Sequence, residues 1–195
     1  MKTEKLTFKE FKESILKDFR IIVESREASL LGRKEVLTGK AKFGIFGDGK
    51  EVAQVAMART FKHGDFRSGY YRDQTFMMAI GELSIEELFS QLYANTDLEK
   101  EPASGGRQMN NHFATRSLDK NGDWKNLTEQ YNSASDISPT GSQMPRLLGL
   151  GHASKIYRNN NDLKKSKFSK KGDEIAFGTI GNASTSEGLF FETIN

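Results

Sequence analysis

Residues 174–188 read Glu-Ile-Ala-Phe-Gly-Thr-Ile-Gly-Asn-Ala-Ser-Thr-Ser-Glu-Gly, a short apolar run that leads into a glycine turn. The apolar run predicts a buried strand, and the residues after Gly181 predict a helix. Ser184 and Glu187 have the spacing of a capping box at its start. Such a turn is either an ordinary connection or an anion site, because helix N-termini present free N–H groups and positive potential.

The remaining periodic segments predict helices that accompany this strand. Thr7 with Glu10 and Ser84 with Glu87 are capping boxes that precede apolar residues at helical spacing. Residues 94–137 have no clear period, and a loop of that length is usually functional or disordered. Further predicted elements are a helix after Gly49 with Val52, Val55, Ala56 and Phe61 on one face, an extended segment over 66–71, a helix after Asp73 and a helix after Pro145.

Composition limits the classes of function. The 195 residues are enough for one domain, and the proportions of charged (28%) and hydrophobic (36%) residues are typical of a soluble protein. The sequence has no membrane-length apolar run and no secretory h-region, so we expect a cytoplasmic protein without a membrane partner. The absence of cysteine excludes disulfides and thiolate metal sites. A net charge of +3 is too small to indicate a nucleic-acid partner.

Several local patterns are compatible with ligand binding. Arg72, in the segment Gly-Tyr-Tyr-Arg-Asp, could clamp a phosphate or form a surface ion pair with Asp73. The lysine-rich stretch 164–171 is interpreted as a solvated loop, with an anion site as the alternative. Residues 44–49 resemble a phosphate loop, but no Lys-Ser/Thr follows, which favours a turn before a helix. The three histidines lack metal-ligand spacing, although His112 lies in the unpatterned loop, where a functional role is plausible.

Five motifs together resemble one protein family, the α subunit of the decarboxylating component of 2-oxoacid dehydrogenase complexes. The resemblance extends over about residues 6–195, and the motif over 106–109 with His112 looks more like the branched-chain enzyme than the pyruvate enzyme. The motifs, in order, are an N-terminal helix, Tyr-Arg-Asp at 71–73, Gly-Arg-Gln-Met at 106–109, Ser-Pro-x-x-x-Gln at 138–143, and a strand with a glycine turn that ends in Ser-Glu-Gly at 186–188.

The resemblance implies an α/β fold of the thiamine-diphosphate-binding type, with a mostly parallel sheet and helices on both faces. Residues 186–195 predict a helix with no stop signal after it. We therefore expect residues 1–195 to be the N-terminal part of one such domain, truncated at the C-terminus, with no second domain. The family's catalytic residues would then lie beyond Asn195 and in the β half.

The resemblance also implies cofactor contacts in three segments. Two residues match the pair that holds the cofactor diphosphate, and two match backbone contacts to its rings. Three lie in the glycine turn, and the last two of these would donate N–H groups to the diphosphate. In that order these residues are Tyr71 and Arg72, Ser138 and Thr140, and Gly181, Ala183 and Ser184.

Asn182 departs from the family pattern, which has a magnesium-binding carboxylate at this position. An amide oxygen can bind magnesium but carries no charge, so the metal is either held more weakly or lost at a degenerate site. Pro139, Ser142 and Gln143 match a potassium site of the branched-chain enzyme.

The activity that the resemblance implies is oxidative decarboxylation of a 2-oxoacid, with a branched-chain acid ahead of pyruvate, and transfer of the acyl group to a lipoyl group. The implied partners are the β half, fused or separate, and the lipoyl-bearing acyltransferase component. Three alternatives stay open: a non-catalytic relative that serves assembly, a generic nucleotide-binding α/β domain, and an acetoin-dehydrogenase or transketolase-like enzyme.

Overall fold

The chain forms helices around a small parallel sheet in a computed structural model that describes residues 6–163 and 166–195. Lys164 and Lys165 of the basic stretch lie outside the described residues. No helix in the described ranges has the length and apolar character to cross a bilayer. The elements are α1 (Phe8–Leu37), α2 (Glu51–Ala58), β1 (Phe66–Ser68), α3 (Gln74–Ala79), α4 (Ile85–Leu92), β2 (Asn132–Ser133), α5 (Gln143–Asn159), β3 (Ala176–Gly178) and α6 (Gly188–Ile194), with 3-10 turns at Asn161–Leu163 and Ala183–Ser186.

The three strands are parallel and lie in the order β2-β1-β3. Successive strand residues point to opposite faces of a sheet. Phe177 of β3 stacks on Phe76 of α3 with ring centres 5.4 Å apart, whereas a Cβ at the next residue, Gly178, would meet Leu147 of α5 at 2.6 Å. Helices therefore cover both faces, and the expectation of an α/β fold is confirmed.

The apolar core is small and aromatic, and α3 supplies its centre. Phe61, Phe76, Met77 and Phe113 are buried together. Phe61 and Phe76 meet edge to face at 5.2 Å, a favourable aromatic geometry.

The prediction of an apolar inner face on α2 is wrong in part. Val55 is buried, but Val52 is 70% exposed and Ala56 is also exposed. The inner face instead carries Gln54, whose side chain donates to the Arg72 carbonyl at 2.7 Å and accepts from the Phe76 N–H at 3.0 Å. Apolar spacing could not reveal this, because those partners lie in another segment of the chain.

The capping boxes that open α1 and α4 are confirmed, with reciprocal hydrogen bonds at Thr7–Glu10 and Ser84–Glu87. β2, in contrast, lies inside residues 94–137, where the sequence showed no period. It is two residues long, too short to produce a readable alternation.

A buried guanidinium connects β1 to two other segments of the chain. Arg67 has no exposed surface. It donates to Asp73 at 2.7 Å and to Asp136 at 3.0 Å. The same guanidinium donates to Ser133 Oγ at 2.7 Å and to the Tyr70 carbonyl at 3.1 Å. Arg67 therefore ties the turn before α3 to the loop that follows β2.

Asp73 extends this network to the end of β3, because its Oδ2 also accepts from Thr179 Oγ1 at 2.5 Å. Gly69 leaves the room that the network needs, since a Cβ there would lie 2.3 Å from both Arg67 Nη2 and Asp73 Oδ2. Burial raises the pKa of Asp136, although Arg67 opposes that shift. The two effects oppose each other because burial disfavours a charged carboxylate, whereas a nearby cation favours it.

We expect Arg67→Met to reduce the free energy of unfolding by about 3–5 kcal/mol, because it leaves two buried carboxylates without a cation. Chemical denaturation of the two proteins measures the difference. Arg59→Met is the matched control: Arg59 pairs with Asp18 at the surface, and such a pair contributes about 1 kcal/mol or less. Equal losses in both variants would contradict the role assigned to Arg67.

The ion pair between α1 and α2 predicts a pH dependence of stability. Arg26 lowers the pKa of Glu51 from 4.5 to about 2, with Nε–Oε1 at 2.7 Å. The folded pKa is depressed, so this stabilisation is present above pH 4.5 and is lost as the pH falls towards 2. We expect the Tm of the native protein to exceed that of Glu51→Gln at pH 6 and the two to converge near pH 2. A difference that does not change with pH would contradict this prediction.

Candidate functional site

A cavity of about 360 Å³ opens where β1 and β3 end, next to the start of α2. Ligands of parallel α/β sheets commonly bind at this carboxyl edge, because the loops that follow neighbouring strands meet there. Among its lining residues are Lys50, Gln54, Tyr70, Arg72, Asp73, Thr179, Gly181 and Asn182. The structure therefore brings the Tyr-Arg-Asp turn and the glycine turn to one cavity.

Arg72 reaches this cavity from a tightly held backbone. Its carbonyl accepts from Gln54, and Gly47 approaches so closely that a Cβ there would lie 2.5 Å from the Arg72 oxygen. The guanidinium lies 5.7 Å from the centre of the Tyr71 ring. Its Nε is buried and has no hydrogen-bond partner among the described residues. Arg72 thus keeps a donor available for an anion, since buried polar groups are normally paired.

Asp73 pairs with Arg67 and not with Arg72, so the alternative of a surface Arg72–Asp73 pair is wrong. The carboxylate is almost wholly buried. Its Oδ1 lacks a donor within the described ranges, while its Oδ2 receives Arg67, Tyr70 N–H and Thr179. The hydrogen bonds of Asp73 are therefore made with Arg67, Tyr70 and Thr179.

The glycine turn differs from its prediction at Ser184, whose N–H already donates within the turn and whose side chain does not cap a helix. The Ser184 N–H donates to the Gly181 carbonyl at 3.0 Å, which starts the 3-10 turn Ala183–Ser186. Ser184 therefore lies inside a turn and does not cap α6; Glu187 precedes α6 without a side-chain cap bond. The predicted capping box is wrong, because Ala183–Ser186 form a 3-10 turn and the α-helix begins only at Gly188.

The segment 138–143 joins the same edge of the sheet from the side of α5. Gln143 is buried; its side chain donates to the Thr179 carbonyl at 3.0 Å, and its carbonyl accepts from Ser68 Oγ at 3.0 Å. At the other end, Ser138 Oγ lies 2.9 Å from Nε2 of the buried His112. Pro139 and Thr140 are exposed between these anchors. The segment lies beside the cavity without lining it.

The cavity fits a diphosphate better than it fits a metal ion. Lys50 and Arg72 provide positive charge, Arg72 has an unpaired buried donor, and Gly181 brings the backbone close. For a divalent ion the lining offers the neutral, exposed Asn182, and the described residues contain no cluster of three His, Asp or Glu that could hold a metal. The lining thus offers more groups that suit an anion than ligands that suit a metal ion.

Sequence reasoning missed the two most informative side chains around this cavity, Lys50 and Arg67. Lys50 directly follows the glycine-rich segment 44–49, so its position after a turn and before a helix was a usable signal. Arg67 stands in the predicted extended segment 66–71, where a charged residue inside a buried strand requires a partner. Neither signal identified the partners, which come from distant parts of the chain.

Comparison with known proteins places this architecture in one family. A family model described as "Dehydrogenase E1 component" matches residues 24–195. The chain is 30% identical over 159 residues to the 2-oxoisovalerate dehydrogenase subunit alpha of Bacillus subtilis (strain 168), an alignment that covers 81% of this chain and 39% of that protein. The chain spans about two fifths of the length of this curated relative. These matches exclude the generic nucleotide-binding domain and agree with the resemblance to an α subunit of the branched-chain type, which is what the curated relative is. The chain belongs to the dehydrogenase E1 component family.

Proposed function

We propose that residues 1–195 form the N-terminal part of a thiamine-diphosphate-binding domain and that this part anchors the cofactor diphosphate. The observation that carries the proposal is the cavity that Arg72 and Gly181 line together, with Arg72 Nε buried and unpaired among the described residues. In the proposed site Arg72 binds the anion, with Tyr71 packed against its guanidinium. Gly181, Ala183 and Ser184 are proposed to present the backbone of the turn, and Ser138 and Thr140 to contact the rings of the cofactor.

The proposed reaction is oxidative decarboxylation of a 2-oxoacid, a branched-chain acid ahead of pyruvate, with acyl transfer to a lipoyl group. When bound, thiamine diphosphate supplies the carbon nucleophile and the electron sink. The residues of this chain position that group and lower the electrostatic cost of holding an anion at the end of the sheet. The catalytic side chains are proposed to belong to the β half and to the part of the α-type component that these residues do not span.

The proposed partners follow from this division of the site. The β half would complete the cavity, and the lipoyl-bearing acyltransferase component would receive the acyl group. The proposed location is the cytoplasm. An acetoin-dehydrogenase-like specificity is the alternative for the substrate, since the contacts proposed for these residues are to the cofactor and not to the acyl chain.

Magnesium and potassium are proposed as accompanying ions. Asn182 would offer its amide oxygen to magnesium beside the diphosphate. Pro139, Ser142 and Gln143 are the proposed potassium ligands. Gln143 is already anchored to Thr179 and Ser68, so an ion there would act on a segment that is fixed at one end.

The neutral, exposed side chain of Asn182 also supports a second candidate, a non-catalytic relative that serves assembly. In such a protein the E1 fold would persist while the metal-dependent step is lost. The two candidates differ in a single measurement, the dependence of activity on magnesium.

We expect the full-length α-type component with its β half to release carbon dioxide from a 2-oxoacid only when thiamine diphosphate and magnesium are both present. A radiometric assay of carboxyl-labelled branched-chain oxoacids and pyruvate gives the rate and the preference, with branched-chain acids turned over faster. Activity that survives complete removal of the cofactor would contradict the proposed reaction, and no activity under any condition would favour the non-catalytic candidate.

We expect Asn182→Asp to lower the magnesium concentration that gives half-maximal cofactor-dependent activity. A carboxylate adds a formal charge beside a divalent ion, whereas an amide offers a dipole. Magnesium would lie between the new carboxylate and the diphosphate and so reduce their repulsion. Magnesium titrations of both forms measure the change. If Asn182→Asp requires as much magnesium as the native protein, or more, Asn182 is not a metal ligand.

A further inference from the structure

Lys50 is a second cation at the proposed diphosphate cavity. It is the residue directly before α2, and it lines the cavity together with Arg72 and Gly181. The backbone carbonyl of Lys50 accepts from the Gln54 N–H at 3.1 Å, in the first turn of α2. Because Gln54 in turn holds the Arg72 carbonyl, the two cationic residues belong to one connected part of the wall.

The carboxylates near Lys50 in the sequence are engaged elsewhere. Glu51 pairs with Arg26 and also accepts the Gly49 N–H at 3.0 Å. Asp48 pairs with Arg33 at 2.6 Å. No carboxylate within the described ranges lies within ion-pairing distance of Lys50. Lys50 is therefore a cation of the cavity lining that has no ion-pair partner among the described residues.

The third charge at the cavity, Asp73, does not neutralise these cations. Its Oδ2 is bound by Arg67, and burial raises the pKa of the other carboxyl in that network, Asp136. Asp73 is therefore paired with Arg67 and with neither Lys50 nor Arg72. Lys50 and Arg72 remain as the uncompensated charges of the lining, and both have the sign that a diphosphate requires.

We propose that Lys50 contacts the diphosphate and, with Arg72, supplies part of the positive charge that a metal held by a carboxylate would otherwise bring. Asn182 lacks that carboxylate, so two fixed cations let the site bind a diphosphate with a weakened dependence on a divalent ion. Lysine is suited to this role, since its ammonium is a compact charge with three donors on a flexible stem. The inference rests on the proposed cofactor, but its chemistry concerns the diphosphate alone.

The test is calorimetric titration of the full-length α-type component, assembled with its β half, using thiamine diphosphate and inorganic pyrophosphate as probes. Each probe is titrated in magnesium and in excess EDTA. In EDTA, Lys50→Gln is expected to raise the Kd for both probes about tenfold, the loss of one charge-assisted contact. In magnesium the same substitution should cost about threefold or less, because the ion supplies part of the charge.

Two further variants separate a contact from a general effect of charge. Lys50→Arg should restore affinity to within about threefold of the native protein. Lys42→Gln removes an exposed lysine that lines a different cavity, so it should leave both Kd values unchanged. The proposal is overturned if Lys50→Gln binds both probes like the native protein in EDTA, if Lys42→Gln weakens binding equally, or if the native protein binds neither probe without metal. Native binding of pyrophosphate but not of thiamine diphosphate, with the loss in Lys50→Gln, would support the role of Lys50 and overturn the proposed cofactor.

Discussion

The guanidinium of Arg67 is the group on which the geometry of the site depends. β1 and β3 are three residues long and β2 is two, so their ladders alone provide few hydrogen bonds. Arg67 adds charged hydrogen bonds from β1 to Asp73, just before α3, and to Asp136, in the loop after β2. Each of those carboxylates borders a segment of the candidate site. A buried charge is costly unless it is paired, and that cost makes this one arrangement specific.

Polar side chains also replace apolar ones where the helices meet. Gln74 of α3 donates to the carbonyl of Ser25 at 3.0 Å and to Ser29 Oγ at 2.8 Å on α1. Gln54 of α2 similarly bonds the backbone of Arg72 and of Phe76. Hydrogen bonds specify distance and direction, whereas apolar contacts tolerate sliding. These interfaces therefore hold the turn at Arg72 in a defined position next to the cavity.

The charge of the cavity explains how an E1-family site could hold its anion with a neutral residue at position 182. Electrostatic attraction depends on the sum of the charges around the ligand, and a fixed cation can replace part of a bound ion. Lys50 and Arg72 are such cations, and both lie on segments fixed by Gln54. In the proposed site, the cation Lys50 offsets the lack of a carboxylate at Asn182, while Asp73 is paired with Arg67.

Sequence alone determined the features that depend on nearby residues. The helix starts at Thr7 and Ser84 were predictable because a capping box needs only three-residue spacing, and the order of motifs placed the chain in its family. Only the tertiary structure decided that Val52 faces outward, that Ser184 lies within a 3-10 turn, and that Arg67 pairs with a carboxylate 69 positions away. It also decided that Lys50 and Arg72 line the same cavity. Such partners are set by packing between distant segments, which local spacing does not encode.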